Sequence, residues 1–329
     1  MTKSQVPSRF PNSPESPRIL IVGNTGQLGR ELKHAFAGFG SVIAVGRESA
    51  DLANPDQVRA LVRRETPDVI LNAAAYTAVD RAEEENDLAL AINARAPRIL
   101  AEEARHLSAL LVHYSTDYVF DGRKPEPWTE TDQTLPLNIY GASKLAGEQA
   151  IEKVGGNYLI FRTSWVYGPH GKNFLLTMLR LARERSSLSI VDDQIGAPTT
   201  SIELARATHA IVTGLLADRF GSLRECTGIY HMSCGGSASW FGFAQAIFAL
   251  AAGLLSVKPP QLIAIPTKNY PTPATRPANS VLSNEKLHRQ FGVQLADWET
   301  ALEETLQVLR AEKLGSTTSH SGIETNERI

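Results

Sequence analysis

Cysteine is nearly absent: Cys226 and Cys234 are the two in a chain of 329 residues. So few thiols exclude a disulfide-stapled scaffold, and with no Cys/His cluster at zinc-ligand spacing they exclude a structural zinc site as well. A reducing, cytoplasmic compartment is expected. Charge of one sign is lacking too. A formal net charge of −2 gives no reason to expect nucleic acid or an acidic surface as partner. Long apolar runs are scarce. Ala238 to Val257 carries no charged residue and has about the length of a bilayer span, but Gly242, Gln245 and Gly253 dilute it and no basic cluster orients it. Trp240, Phe241, Ala244, Phe248, Ala251 and Leu255 fall on one helical face behind Ser239 as N-cap, which predicts a buried amphipathic helix and no membrane span. The first sixteen residues are rich in Pro and Ser without an apolar stretch, so 1–16 reads as a disordered tail and not a signal peptide; the polar stretch 315–329 reads as a second tail.

What is present is organised around RILIVGNTGQLGRELKHAF, Arg18 to Phe36. Ile19 to Val22 is a short apolar run ending at glycine, and from Leu28 apolar residues recur at helical spacing, which predicts a buried strand, a tight turn and a helix. Gly23, Gly26 and Gly29 lie three apart across the turn, where glycine permits a sharp bend, backbone approach to a phosphate and close helix packing. The helix N-terminus would present unpaired amides to a pyrophosphate. This three-by-three spacing differs from the usual dinucleotide fingerprint and resembles the extended short-chain dehydrogenase/reductase superfamily.

Strand and helix then alternate: Ser41 to Val45 a strand, Asn54-Pro55 opening a helix, Asp68 to Leu71 a strand, a helical pattern from Leu88 to Leu107 with Pro97 as its start or kink, and Leu110 to Tyr114 a strand. That order predicts an α/β, Rossmann-like, doubly wound parallel sheet with ligands at the carboxyl ends of its strands. The second strand ends in Gly46-Arg47, and an arginine there favours the 2′-phosphate of NADP, so NADPH is expected, although a surface arginine would look the same. Asp51 and Leu52 follow within reach of an adenine ring.

Tyr140 and Lys144 stand four apart, on one face of a helix continuing through Glu148 and Ile151. An ammonium beside a phenol lowers the phenol's pKa and suits it to proton transfer. The fourth strand ends in YSTDYVFDG, Tyr114 to Gly122, and sets Thr116 and Asp117 at a strand's carboxyl end, where a hydroxyl can hold a carbonyl beside the phenol. Thr116, Tyr140 and Lys144 match the catalytic triad of the short-chain reductases in type and order.

Longer stretches narrow the family. NAAAYTAVDRAE (Asn72 to Glu83), HYSTDYVFDG (His113 to Gly122), YGASKLAGE (Tyr140 to Glu148), FRTSWVYG (Phe161 to Gly168), DDQIGAPT (Asp192 to Thr199) and YPTPATRPANSVL (Tyr270 to Leu282) closely resemble the dTDP-4-dehydrorhamnose reductases, in the same order and over most of the chain between the tails. The resemblance implies reduction of the C4 ketone of dTDP-4-dehydro-β-L-rhamnose to dTDP-L-rhamnose, a donor for cell-surface polysaccharide. It places Gly23, Gly26, Gln27 and Leu28 at the pyrophosphate, Asp51 and Leu52 at the adenosine, Ala75, Tyr76, Thr77 and Tyr114 along the cofactor, and Lys144 at the nicotinamide ribose. Thr116, Asp117 and Trp165 would form the sugar site. Trp165 reads equally as core filler on its residue type, and Arg276, in a proline-rich loop, suits either a diphosphate clamp or a surface salt bridge. Some members are dimers bridged by Mg²⁺ through glutamates, which leaves Mg²⁺, Glu31, Glu203, a homodimer and use of NADH open.

The cofactor half is expected to span 17–171, with Leu188 to Val191 and Ile229 to Met232 returning to its sheet from about 188–234. The substrate half would comprise 172–187 and 235–314. Two rivals remain: a nucleotide-sugar epimerase or dehydratase with the same Tyr-Lys pair, and a non-catalytic nucleotide-binding subunit similar to that of methionine adenosyltransferase.

Overall fold

A computed structural model describes residues 16–318 apart from 252, 253 and 256. The tail expected over 1–16 therefore lies, except for residue 16, outside the described residues, as does 319–329 of the second tail.

The chain begins β1 (Arg18–Val22), α1 (Gln27–Ala35), β2 (Ser41–Val45), α2 (Pro55–Glu65), β3 (Val69–Asn72), α3 (Val79–Ala82), α4 (Asn86–Leu90), a π-helical segment (Ala91–Arg95), α5 (Ala96–Leu107), β4 (Leu110–Thr116), α6 (Ile139–Val154) and β5 (Asn157–Thr163). It continues with β6 (Val166–Tyr167), α7 (Phe174–Glu184), β7 (Ser187–Val191), β8 (Ile195–Gly196), β9 (Thr199–Thr200), α8 (Ser201–Leu216), α9 (Leu223–Cys226), β10 (Gly228–His231), β11 (Ala238–Ser239) and α10 (Trp240–Leu250). The last elements are β12 (Gln261–Ile265), α11 (Glu285–Phe291) and α12 (Trp298–Thr318), so helix occupies the start of the stretch read as a C-terminal tail.

Six strands form a parallel sheet in the order β10-β5-β4-β3-β1-β2. Its strands read as unbroken apolar runs because both faces are covered. In β1, Ile19 and Ile21 enter one core with Leu204 and Ile211 of α8, whereas Leu20 and Val22 enter the other with Val58 of α2, Leu100 of α5 and Ile151 of α6. The strand order reverses between β1 and β3, the switch point where such sheets bind ligands. A third core gathers Met178 of α7, Phe243 and Ile247 of α10, and Leu302 and Leu306 of α12.

Two expectations need correction. Only β10 returns to the main sheet; β7 pairs with β12 in a separate parallel pair, Ser187 opposite Gln261 through Val191 opposite Ile265. On α10, Phe243, Ala244, Ile247, Phe248 and Ala251 face the core, while Trp240 at its first turn stays half-exposed. The helical pattern of 88–107 is interrupted at Pro97, as its reading as a helix start or kink anticipates: a π segment precedes it and α5 begins at Ala96. Proline lacks an amide and crowds the carbonyl four residues back, that of Asn93. That carbonyl faces Gly147 of α6, where an added Cβ would lie 2.1 Å from it.

Candidate active site

A cleft of about 690 Å³ opens along the carboxyl edge of β1 to β5. Gly23 forms its floor with φ +97°, and a Cβ there would meet the Ala74 amide at 2.8 Å; at Gly29 it would lie 2.0 Å from the Gly23 carbonyl, so this glycine lets α1 seat against its own turn. Gly26 caps α1 without a side-chain hydrogen bond, which leaves the first-turn amides uncovered beside Gln27 and Leu28. Gln27 Oε1 accepts from Asn173 Nδ2 at 2.8 Å, tying this turn to the N-cap of α7.

Arg47, Asp51 and Leu52 line the outer end of the cleft, with Arg47 exposed on the rim. The Asp51 carboxylate accepts from the Ala53 amide at 3.0 Å. Sequence reasoning passed over Glu48, whose Oε1 accepts from the Gly46 amide at 3.0 Å, so its carboxylate lies against a glycine that lines the cleft beside Arg47. Ala75 and Thr77 line the cleft along one wall. Tyr76 does not: its hydroxyl donates to Glu85 Oε2 at 2.5 Å, while its backbone is held by Asn93 at 2.8 and 3.0 Å.

Thr116, Tyr140 and Lys144 come together at the inner end. Burial pushes the Tyr140 phenol up to about 12, with Thr116 opposing as a hydrogen-bond partner and the Asp117 charge adding. The expected depression by Lys144 is not found, because the ammonium is engaged elsewhere: Nζ donates to the Tyr114 carbonyl at 2.6 Å. Burial lowers Lys144 to about 8, against a favourable Glu148. Tyr114 meets the cleft by its backbone; its hydroxyl bonds Thr208 at 2.8 Å on the opposite face of the sheet. The Asp117 carboxyl accepts from Thr116 at 2.9 Å and Ser164 at 3.2 Å, with Ser280 facing it, and burial still raises it to about 6.

Trp165 stacks on Trp240, centroids 3.5 Å apart and planes 7° from parallel, and both line the cleft. Trp165 adopts φ +48°, a left-handed conformation that costs a bulky residue about 1–3 kcal/mol. The indole lies on Gly196, where a Cβ would come within 2.4 Å of its Cε2, so the glycine of DDQIGAPT makes room for the ring. The stack went unread because its two halves are distant in sequence. Arg276 is outside the lining residues: it grips Asp80 of α3 at 2.5 and 2.8 Å, realising the salt-bridge alternative.

The cleft fits a dinucleotide. Besides the uncovered α1 amides, the Ser115 and Thr163 hydroxyls are buried, unpartnered and among its lining. A divalent ion is not similarly provided for, since no group of three His, Cys, Asp or Glu among the described residues could hold one. Glu203 accepts from Arg206 at 3.0 Å and the Ala296 amide at 2.9 Å, and burial raises Glu31 above the usual carboxylate range.

Comparison with known proteins agrees with this geometry. The RmlD substrate binding domain family matches residues 17–311. A dTDP-4-dehydrorhamnose reductase of Burkholderia thailandensis is 48% identical over 289 residues, 87% of this chain and 96% of the relative. Among solved structures, a dTDP-4-dehydrorhamnose reductase of Clostridium acetobutylicum superposes with a TM-score of 0.81 at 37% identity, covering 89% of this chain and 99% of the other. One from Bacillus anthracis, in complex with NADP, gives 0.80 at 37% identity over 88% and 98%. The chain thus belongs to the dTDP-4-dehydrorhamnose reductase family.

Proposed function

We propose that this protein is a nucleotide-sugar reductase that converts dTDP-4-dehydro-β-L-rhamnose to dTDP-L-rhamnose with NADPH. The observation that carries the reading is the convergence of Thr116, Tyr140 and Lys144 at the inner end of a cleft whose outer end is the uncovered N-terminus of α1. NADPH bound there would supply the hydride. Gly26, Gln27 and Leu28 would take the pyrophosphate on backbone amides, and Lys144 the nicotinamide ribose. Thr116 orients the C4 carbonyl, and Tyr140 gives its proton to the developing alkoxide. A phenol held at about 12 is fully protonated at neutral pH and still far more acidic than an alkoxide's conjugate acid, so reduction can use it without prior depression of its pKa. Asp117 and the Trp165 face would receive the sugar.

Arg47 favours the 2′-phosphate of NADPH, and Glu48 beside it suits the free 2′-hydroxyl of NADH, so NADH is the second donor. We assign the cofactor half to 17–171 with β10, and the sugar half to 172–187 and 235–314 around the Met178, Phe243 and Leu302 core. No described helix is long and apolar enough to cross a membrane, and both thiols are buried and free; we place the protein in the cytoplasm. The homodimer and Mg²⁺ rest on the resemblance alone, and sedimentation with and without chelator tests both.

The decisive assay follows NADPH fluorescence as the protein meets dTDP-4-dehydro-L-rhamnose, beside NADH and beside a protein-free mixture. Oxidation with formation of dTDP-L-rhamnose is expected. Tight NADPH binding without oxidation would overturn the reading in favour of a non-catalytic nucleotide-binding subunit.

A further inference from the structure

Beneath Lys144 lies a buried polar chain that the proposed proton transfer leaves unused. Lys144 is 2% exposed, and besides its bond to Tyr114 its Nζ lies 3.3 Å from His113 Nε2. His113 is fully buried on β4 and stands opposite Asn72 in the β3–β4 register. The Asn72 side-chain amide reaches His113 Nδ1 at 3.0 Å. Burial and the Lys144 charge hold this imidazole neutral, well below the usual histidine range.

A neutral imidazole has one donor nitrogen and one acceptor nitrogen. A charged Lys144 has only protons to offer, so Nε2 must accept and the ring proton must sit on Nδ1. Asn72 must then present its oxygen to Nδ1. With its nitrogen there instead, Oδ1 is buried without a partner in a side chain 1% exposed. Turning the amide over gives that oxygen a donor and makes a continuous chain, Lys144 Nζ–H to His113 Nε2 and His113 Nδ1–H to Asn72 Oδ1, with Nδ2 in the place the oxygen held.

We propose that His113, with its tautomer fixed by Asn72, is a positioning residue that keeps Lys144 charged and fixes where its last proton points. An ammonium has three N–H groups in tetrahedral array. The Tyr114 carbonyl and His113 Nε2 take two of them, which leaves one direction for the third, and Lys144 lines the cleft. The ionisable groups around Lys144 are consistent with this. Glu148, one turn along α6, favours the charge and is itself bound by Arg162 of β5; Asp117 closes the end of β4, and Tyr140 lies one turn back; β3 contributes the uncharged Asn72. The inference rests on the reductase reading for its consequence, but its physical content concerns the ligand-free protein.

The test is therefore a titration of the Lys144 side-chain nitrogen by NMR in ligand-free protein, read beside the pH profile of turnover. His113→Leu removes the acceptor and should lower the Lys144 midpoint by about one pH unit, the scale of a hydrogen bond to a charged group. His113→Gln restores an acceptor oxygen and should bring the midpoint back. The alkaline limb of turnover should move the same way, since a neutral Lys144 holds the nicotinamide ribose less firmly. An unchanged midpoint in folded His113→Leu overturns the proposal. If that variant does not fold, Asn72→Leu, which leaves the imidazole but removes its tautomer lock, should still lower the midpoint, and no change there overturns it equally. A midpoint that falls in a protein that reduces no sugar nucleotide supports the positioning role while refuting the reductase.

Discussion

At the scale of single residues, Tyr140 and the pair Arg47 and Glu48 carry separable expectations. Tyr140→Phe removes a proton that only the transition state uses, so kcat should fall by about 10²- to 10⁴-fold while NADPH affinity, measured by fluorescence titration, stays within about twofold. Equal turnover would take Tyr140 out of the mechanism. Arg47→Ala should lower the preference for NADPH over NADH by about tenfold or more, and Glu48→Gln should raise it, because one removes the attraction and the other the repulsion felt by a 2′-phosphate. Comparing the binding of 2′,5′-ADP with that of ADP checks both without turnover. Arg47 could be singled out from the sequence because it directly follows Gly46, the glycine after β2. Glu48 was not, because whether a side chain curls back to the Gly46 amide is decided by the turn and not by residue order.

At the scale of the element, α6 carries Tyr140 and Lys144 on a helix anchored by Glu148. The Glu148 carboxylate takes Arg162 Nε at 3.0 and 3.2 Å and Nη2 at 2.6 Å, with both side chains buried. Arg162 Nη1 already lacks a partner. Glu148→Ala would leave an uncompensated cation under the sheet and should cost about 3–5 kcal/mol in urea unfolding, far more than an exposed pair such as Arg180–Glu184. A loss below 1 kcal/mol would mean that water reaches Arg162. Strands of the main sheet such as β1, β3 and β4 could be read because a strand covered on both faces announces itself as an apolar run. For β7 and β12 the local signal is as short, and which partner each finds depends on residues some seventy positions apart, Ser187 and Gln261. The π segment was invisible for a related reason: Pro97 advertises a break, but where the strain is taken up depends on Gly147 of the packed helix.

At the scale of the whole molecule, Asp117 is where segments far apart in the chain meet around one charge. Thr116 of β4 and Ser164 after β5 donate to it, and Ser280 approaches from the far loop that Asn279 stitches to Gly122 at 3.1 Å. These bonds do not make up for lost water, and the carboxyl sits at about 6 instead of 3.8. The sign follows from linkage. Between these two values the folded protein binds more protons at this site than the unfolded chain, so stability falls as pH rises through the interval, by about 3 kcal/mol in all, and no further above it. Asp117→Asn keeps the shape and one acceptor but does not titrate. Its stability relative to the unchanged protein should therefore be near parity at pH 4 and greater by up to about 3 kcal/mol at pH 8, measured as urea midpoints across that range, where the contributions of all other groups cancel in the difference. Parallel curves would show that Asp117 is solvated after all. If they diverge as expected, KM for the sugar nucleotide should rise in the same variant, because a carboxylate kept ionised at a cost to the fold is the form that can accept from sugar hydroxyls.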